Sequence, residues 1–525
     1  MRDFFRPGRS SATGLTAAVA SSHALASGAA LRVLTEGGNA VDAAVTATFV
    51  LSVVEPQSTG IGGDCFALYF PAGADRPVGF NGSGRTPAGL DPARARAEGG
   101  APLAETSVHS VTIPGMVDGM AQLLSRYGTW PLEQVIEPAI GYAERGFPVH
   151  PRVAEEWAFA AGKLARTPGA RNVLLRNYEA PAVGDVIRFP QLAATLRRIA
   201  GGGRDAFYRG EVAETMARFL ADNGGFHSAT DFAAHRGAWV EPISTTYNGH
   251  DVWQIPPNGQ GATALLMLNL LEAFGGDAGE FDGFERHRKL ADAARVAFRE
   301  RNRLVADPEF GPVALEVFLD KSEAGWLAAE ARTARADEAK APRARGDTAY
   351  VSVVDKDRNA ISLISSLFEG FGSGLRDPDT GVIFHNRGSG FSALADHPNA
   401  LAPNKRPLHT IIPGMVSQNG RPVLAFGVTG GQYQPIGHAQ MITGLVDHGL
   451  DIQDVIDRPR SFLVDGRLQL EPALLVQQEA LAAAGYDVAP AMRAVGGAHG
   501  VWIDWDTGVL SGGSDPRKDG IALAL

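Results

Sequence analysis

Residues 347–368 read DTAYVSVVDKDRNAISLISSLF, and this stretch decides the fold. Apolar side chains alternate with small polar ones over 348–355 and again over 360–368, the period of a half-buried strand, and the charged turn KDRN joins the two runs as a hairpin. Immediately upstream, 320–346 (DKSEAGWLAAEARTARADEAKAPRARG) is Ala-rich and charged, with only Trp326 and Leu327 as large apolar anchors. A mobile surface segment is expected there. Thr348 therefore opens a strand directly after a polar run. Downstream the strand pattern continues at 381–386 (GVIFHN), 422–428, 499–505 and 508–515, with a helix at 437–449, so the second part of the chain is β-rich.

Upstream the period is helical. In 24–56 apolar residues recur at three- and four-residue spacing, Gly37 and Gly38 interrupt, and Pro56 follows, which predicts two helices meeting at a glycine turn. The segments 114–128, 132–146 and 189–203 each end at Gly, as helices with glycine stops do. Two further amphipathic helices are expected between 262 and 305.

Composition narrows the function. The chain has 525 residues, 45% hydrophobic, enough for a large core. Lys and Arg number 48 against 58 Asp and Glu, a net charge of −10, which disfavours nucleic acid as a partner because duplex binding needs a basic face. The densest basic run, ERHRKLADAARVAFRERNR (285–303), reads as a helix with a solvated charged face. Cys65 is the only cysteine, which excludes an intrachain disulfide and any two-cysteine metal site. Thirteen His are scattered without ligand spacing, and GIGGDC (60–65) lacks the third glycine of a dinucleotide fingerprint, so neither metal nor cofactor is expected. The apolar runs 43–54 and 262–274 are shorter than the roughly 20 residues that span a bilayer. With charges and a Pro in MRDFFRPGRSSATG, the expectation is a cytoplasmic protein without membrane contact.

No Walker loop, HExxH or GxSxG elbow is present. Thr348 by itself reads as an ordinary strand residue. From about residue 14 to the end, however, the chain resembles the γ-glutamyltransferase family of N-terminal-nucleophile hydrolases. The matching stretches are EGGNAVDAAV (36–45), QSTGIGGDCF (57–66), VTIPGMVDGM (111–120), DTAYVSVVDKDRNAIS (347–362), GFGSG (370–374), PNKRPLHTIIPG (403–414), TGG (429–431) and SDPR (514–517). The resemblance implies an α/β fold, the four-layer αββα sandwich with two stacked antiparallel sheets, as one domain over 1–525. It also implies self-cleavage between Asp347 and Thr348 into fragments 1–347 and 348–525 that stay associated, with a higher oligomer left open. Thr348 would become the nucleophile, its own α-amino group the base, Gly430 and Gly431 the oxyanion donors, and Ser366 the partner of the nucleophile.

The chain departs from the γ-glutamyl pattern where a donor's α-carboxylate and α-ammonium would be held. Ser83 stands where similar enzymes carry an Arg, Ser389 where they carry an Asp, Phe368 where they carry an Asn, and His409 with Thr410 where they carry paired Ser. The link from 392 to 403 is short enough to have lost a lid. An amide substrate whose acyl group keeps a carboxylate but lacks the α-amino group is expected. Arg85 and Arg387 are the candidate forks for that carboxylate, and His409 and Thr410 the candidate donors. Either Arg could instead be a structural ion-pair or turn residue. Oxamate amidohydrolases and glutaryl-type acylases are the alternatives within the family. An unprocessed binding protein of the same fold is the alternative outside catalysis.

Overall fold

In the computed structural model, residues 8–276, 279–333 and 347–525 are described. Two seven-stranded sheets form its centre, every neighbouring pair antiparallel. The hairpin read from the sequence lies in the middle of the first. Asp347–Val354 pairs with Ala360–Phe368 on one side and with Ala18–Ser21 on the other, and Asp64–Phe70 continues the sheet beyond Ala360–Phe368. The second sheet is centred on Arg421–Thr429, between Pro413–Gln418 and Gly497–Ile503. Both sheets thus mix strands from before and after residue 347.

Strand alternation assigns the layers. Tyr350, Val354 and Ile364 point inward and share one apolar cluster with Met415, Ala425 and Val501 of the facing sheet. Ala349, Val351 and Val353 point outward against Val45 and Phe49 of the helix Ala40–Val54, which is buried along its whole length. On the other side Leu424, Phe426 and Val428 pack on Leu266, Phe298 and Ile442 from the helices Gly261–Ala273, Phe284–Leu304 and Gln434–Val446. The result is the expected αββα order. Close approach of the sheets depends on Gly427, where a Cβ would lie 2.2 Å from Cε2 of the Tyr350 ring. A polar hook sits beside it: Ser362 Oγ donates to the Phe426 carbonyl across the gap (2.9 Å) and accepts from the Tyr350 hydroxyl (2.8 Å).

The predicted helices form as Ala24–Thr35 and Ala40–Val54, on either side of Gly37 and Gly38, and as Met116–Tyr127, Leu132–Arg145 and Pro190–Gly202, each followed or ended by glycine. Four expectations need correction. Lys321–Thr333 is a helix whose Ala324, Leu327, Ala328 and Ala331 are buried in the second helical layer, while Trp326 is exposed. Alanines at i, i+4 and i+7 with Leu327 at i+3 make that stripe, so few large residues are needed; residues 334–346 lie outside the described part. The segment 381–386 is no strand: Ile383 makes one isolated bridge to Arg376, and Val382 and Phe384 are apolar because the loop is tucked into the core. The helix Gly261–Ala273 is not amphipathic but buried on every side from Gly261 to Leu271. In Phe284–Leu304 the face is not wholly solvated, since Arg286, His287, Glu300 and Arg301 are buried. Among the described residues no helix is long and apolar enough to cross a membrane.

Candidate active site

One end of the sandwich gathers most of the residues singled out in the sequence. Asp347 pairs in register with Phe368, the next pairing is Ala349 with Ser365, and the register shift between them leaves Thr348 in an irregular turn of the ladder that re-aims its side chain. Thr348 is buried and its Oγ1 donates to Ser366 Oγ at 3.4 Å. Ser366 Oγ in turn accepts from the Phe368 backbone N–H (2.7 Å), where Phe368 turns out of the strand with φ of +78°. On the far side Ser366 is the register partner of Asp64. Three adjacent strands therefore present Thr348, Ser366 and Asp64 in a row. The glycines of GIGGDC serve this packing: a Cβ on Gly63 would lie 2.5 Å from the Ser366 carbonyl oxygen.

The facing sheet contributes the diglycine. Tyr350 resting on Gly427 sets Thr348 opposite the end of Arg421–Thr429, where Gly430 and Gly431 follow with φ of +113° and +57°. Two successive left-handed residues are accessible to glycine without penalty. Their N–H groups donate to no other described residue, and the helix Gln434–Val446 begins just beyond, adding the positive end of its dipole. The turn is held from behind by Gln260, whose Nε2 donates to the carbonyls of Gly431 (3.1 Å) and Thr410 (2.7 Å). Gly430 also lines a cleft of about 420 Å³, whose walls include Glu369, Gly370, Tyr433 and Phe462.

Between the two sheets lies a charged cluster. Asp64 Oδ2 accepts from His409 Nε2 at 3.0 Å and lies 3.4 Å from His385 Nδ1, while Oδ1 accepts from the N–H groups of Gly115 (3.2 Å) and Gly84 (3.3 Å). Burial opposes ionisation of Asp64, yet His385, His409 and Arg387 together pull its carboxyl down to about 2. Burial, reinforced by Arg387, pushes His409 down to about 3, so His409 is the neutral donor and Asp64 the anion. Arg387 is fully buried, donates through Nη1 to Thr410 Oγ1 (2.8 Å), and stacks 4.1 Å from the centroid of the Phe368 ring. Its Nε and Nη2 have no partner among the described residues, and burial pushes the guanidinium below its usual value.

Arg85 stands apart. It is half-buried and committed to Asp307 (3.2 Å), Glu309 and the Asn404 carbonyl (3.0 Å). Ser83 is buried and donates to Asn81 (2.7 Å), and Ser389 donates to the Asn386 carbonyl (2.9 Å). The short link folds tightly on itself, with Ser392 bridged to Ala400. Sequence reasoning missed Asp64, Gln260 and Arg301. For Arg301 a signal was there: Leu290, Ala294, Ala297 and Arg301 fall at helical spacing on the apolar face of their helix.

Stacked antiparallel sheets between helical layers, with a threonine at the head of a central strand of one sheet and a diglycine turn at the end of a central strand of the other, mark an amidohydrolase of the N-terminal-nucleophile class. Comparison with known proteins narrows this: residues 26–525 match the γ-glutamyltranspeptidase family model, and the chain belongs to that family. It is 38% identical to the glutathione hydrolase-like YwrD proenzyme of Bacillus subtilis, over 98% of this chain and 99% of the relative. It is 33% identical to the oxamate amidohydrolase proenzyme of Klebsiella pneumoniae, over 95% and 97%. The crystal structure of a cephalosporin acylase from Bacillus halodurans superposes with a TM-score of 0.91 at 36% identity, covering 100% of this chain and 99% of that one. The chain is thus a self-processing amidohydrolase or acyltransferase of the γ-glutamyltranspeptidase type.

Proposed function

We propose that this protein cleaves amides of small acyl groups that carry a carboxylate but no α-ammonium, with Thr348 as the nucleophile. In the precursor, Thr348 Oγ1 adds to the carbonyl of Asp347; the peptide C–N bond breaks, the nitrogen takes the hydroxyl proton, and an ester joins the two parts. Water hydrolyses that ester, leaving fragments 1–347 and 348–525 held in shared sheets. The new α-amino group, whose ordinary pKa is about 7.7–8.0, then accepts the hydroxyl proton when Thr348 attacks a substrate amide. The N–H groups of Gly430 and Gly431 receive the oxyanion. The amine leaves with the transferred proton, and water or a second amine releases the acyl group from Thr348.

The observation that carries the substrate reading is Arg387. A buried guanidinium with two donors that have no partner among the described residues, beside a threonine hydroxyl and one ring from the nucleophile's strand, is matched in charge and fork geometry by a carboxylate. Arg85 is left out because its donors are already engaged by Asp307 and Glu309. No carboxylate stands ready for an α-ammonium at position 389, which is Ser, and Asp64 is saturated by His409 and two backbone amides. The names of the relatives, an oxamate amidohydrolase and an acylase, are in keeping with donors of this kind.

The test is intact mass with amino-terminal sequencing of the purified protein, followed by assay of glutaryl and γ-glutamyl p-nitroanilides and of oxamate. Two chains, the smaller beginning TAYVSVVD, and faster turnover of an amine-free donor are expected. A chain that stays whole on long incubation points to the binding-protein alternative. Preference for the γ-glutamyl donor overturns the substrate reading alone.

A further inference from the structure

Arg301 is buried with no charge to match it. It lies in the last turn of the helix Phe284–Leu304 and has no exposed surface. Its Nε and Nη2 donate to Asn302 Oδ1 (3.0 and 2.8 Å), and its Nη1 donates to Gln260 Oε1 (2.7 Å) and to Gln432 Oε1. Every acceptor is a neutral amide, and among the described residues no carboxylate pairs with it. Four other Arg side chains on this helix reach carboxylates: Arg288 reaches Glu285 and Asp292, Arg295 reaches Asp292, Arg299 reaches Glu300 and Glu330, and Arg303 reaches Glu300, while Arg286 is buried against the Phe281 ring and donates to Thr443 Oγ1 (2.9 Å). Burial of an unmatched charge is strongly unfavourable, so a counter-charge appearing beside Arg301 during the reaction would be stabilised by it.

The two amides that hold Arg301 lead to one place. Gln432 follows Gly431 directly in the chain, and Gln260 passes the contact on to the Gly431 carbonyl through its Nε2 (3.1 Å). The guanidinium therefore stands one side chain behind the Gly430–Gly431 turn, read above as the oxyanion site. A fixed positive charge there favours an anion in front of the turn, and such an anion exists only while the tetrahedral intermediate does.

We propose that Arg301 is a positioning residue that supplies an uncompensated positive field behind the Gly430–Gly431 turn and holds that turn in shape through Gln260 and Gln432. This rests on the reading of Gly430 and Gly431 as oxyanion donors. Its effect belongs to the transition state, so it acts on kcat and leaves KM nearly untouched.

The decisive variant is Gln432→Glu. It is isosteric, keeps the acceptor on Arg301 and pairs the charge, so a purely structural role predicts equal or higher Tm with unchanged turnover. The proposal predicts a maintained Tm, a kcat at least tenfold lower on whichever donor the wild type turns over best, and KM within threefold. Arg301→Met is expected to lower kcat about a hundredfold, and Arg301→Lys, which keeps the charge, to recover most of that loss. Self-cleavage of freshly made precursor should slow in the same order, a readout that needs no substrate. Unchanged kcat in folded Gln432→Glu overturns the proposal, as does equal loss in Arg301→Lys and Arg301→Met. A wild type that neither matures nor turns over any donor defeats the functional reading first.

Discussion

Arg387 lies over the face of Phe368, 4.1 Å from the ring centroid, and Phe368 is the register partner of Asp347 across the strand pair. The cation proposed to hold the acyl carboxylate is therefore fixed to the strand end opposite the proposed scissile bond. A planar ring under the guanidinium, with Thr410 at its edge, leaves Nε and Nη2 open for a bidentate partner.

Arg387→Gln should raise KM for a carboxylate-bearing donor by 10- to 100-fold, about 1.4–3 kcal/mol, with a smaller change in kcat. Arg387→Lys should recover little, because a point charge does not replace a fork. Initial rates on glutaryl p-nitroanilide check both. Equal KM in wild type and Arg387→Gln would remove Arg387 from the binding role.

Thr348→Ala should leave one uncut chain of 55.3 kDa with no turnover, whereas Thr348→Ser should still mature. Denaturing mass measurement reads both. Turnover retained in uncut Thr348→Ala would point to a different nucleophile.

Gly427→Ala tests the contact between the sheets. The added methyl would sit 2.2 Å from Cε2 and 2.5 Å from Cδ2 of Tyr350, whose ring has no room to withdraw. A loss of about 1–3 kcal/mol is expected, seen as a lower Tm. Loss of maturation alongside the drop in Tm is also expected, because Tyr350 and Gly427 set the gap across which Thr348 meets the diglycine.

Acid should unfold the protein early. Burial is the main cause that holds His23, His287, His438 and His499 down at about 3 and His227 at about 4. The unfolded chain takes up these protons below about 6.5 while the folded one does not until much lower, so stability falls as pH drops through that window. Near pH 5 five such groups together withdraw about 10 kcal/mol, comparable to the whole stability of a typical domain. Stability measured by circular dichroism should fall as pH drops below about 6.5, and His287→Asn should move the acid midpoint to lower pH. An acid midpoint unmoved by His287→Asn would show that this histidine is not held neutral.

The hairpin around Thr348 was legible because strand alternation and a charged turn are local signals. So were the glycine stops of the helices; at Gly146 and Gly203 the chain leaves the helix with a positive φ that glycine reaches easily. What escaped was decided by contacts distant in sequence. GVIFHN is apolar enough for a strand, but its neighbours are loop carbonyls such as Gly62 and Leu375 rather than a ladder. Lys321–Thr333 hides a buried stripe of three alanines and Leu327, which composition alone cannot tell from a solvated run. Thr348, Gly430 and Gly431 stood out through family resemblance, and the structure brings the strand ends that carry them together. Arg85 and Arg387 looked alike in the sequence; only their partners separate them, two carboxylates for one and a single hydroxyl for the other.

Because Asp347–Val354 is wedged between Ala18–Ser21 and Ala360–Phe368, cutting the Asp347–Thr348 bond detaches only the Asp347–Phe368 rung and leaves every rung from Ala349 to Val354 in place on both sides. The native state scarcely registers the cut, but the unfolded state does. One chain becomes two, and recovery after heating turns from a first-order event into an encounter between separate molecules. Renaturation yield of the matured protein should then climb with concentration, whereas that of uncut Thr348→Ala should not. Maturation in this architecture is a one-way door: it arms the enzyme and gives up the covalent memory that would let it start again.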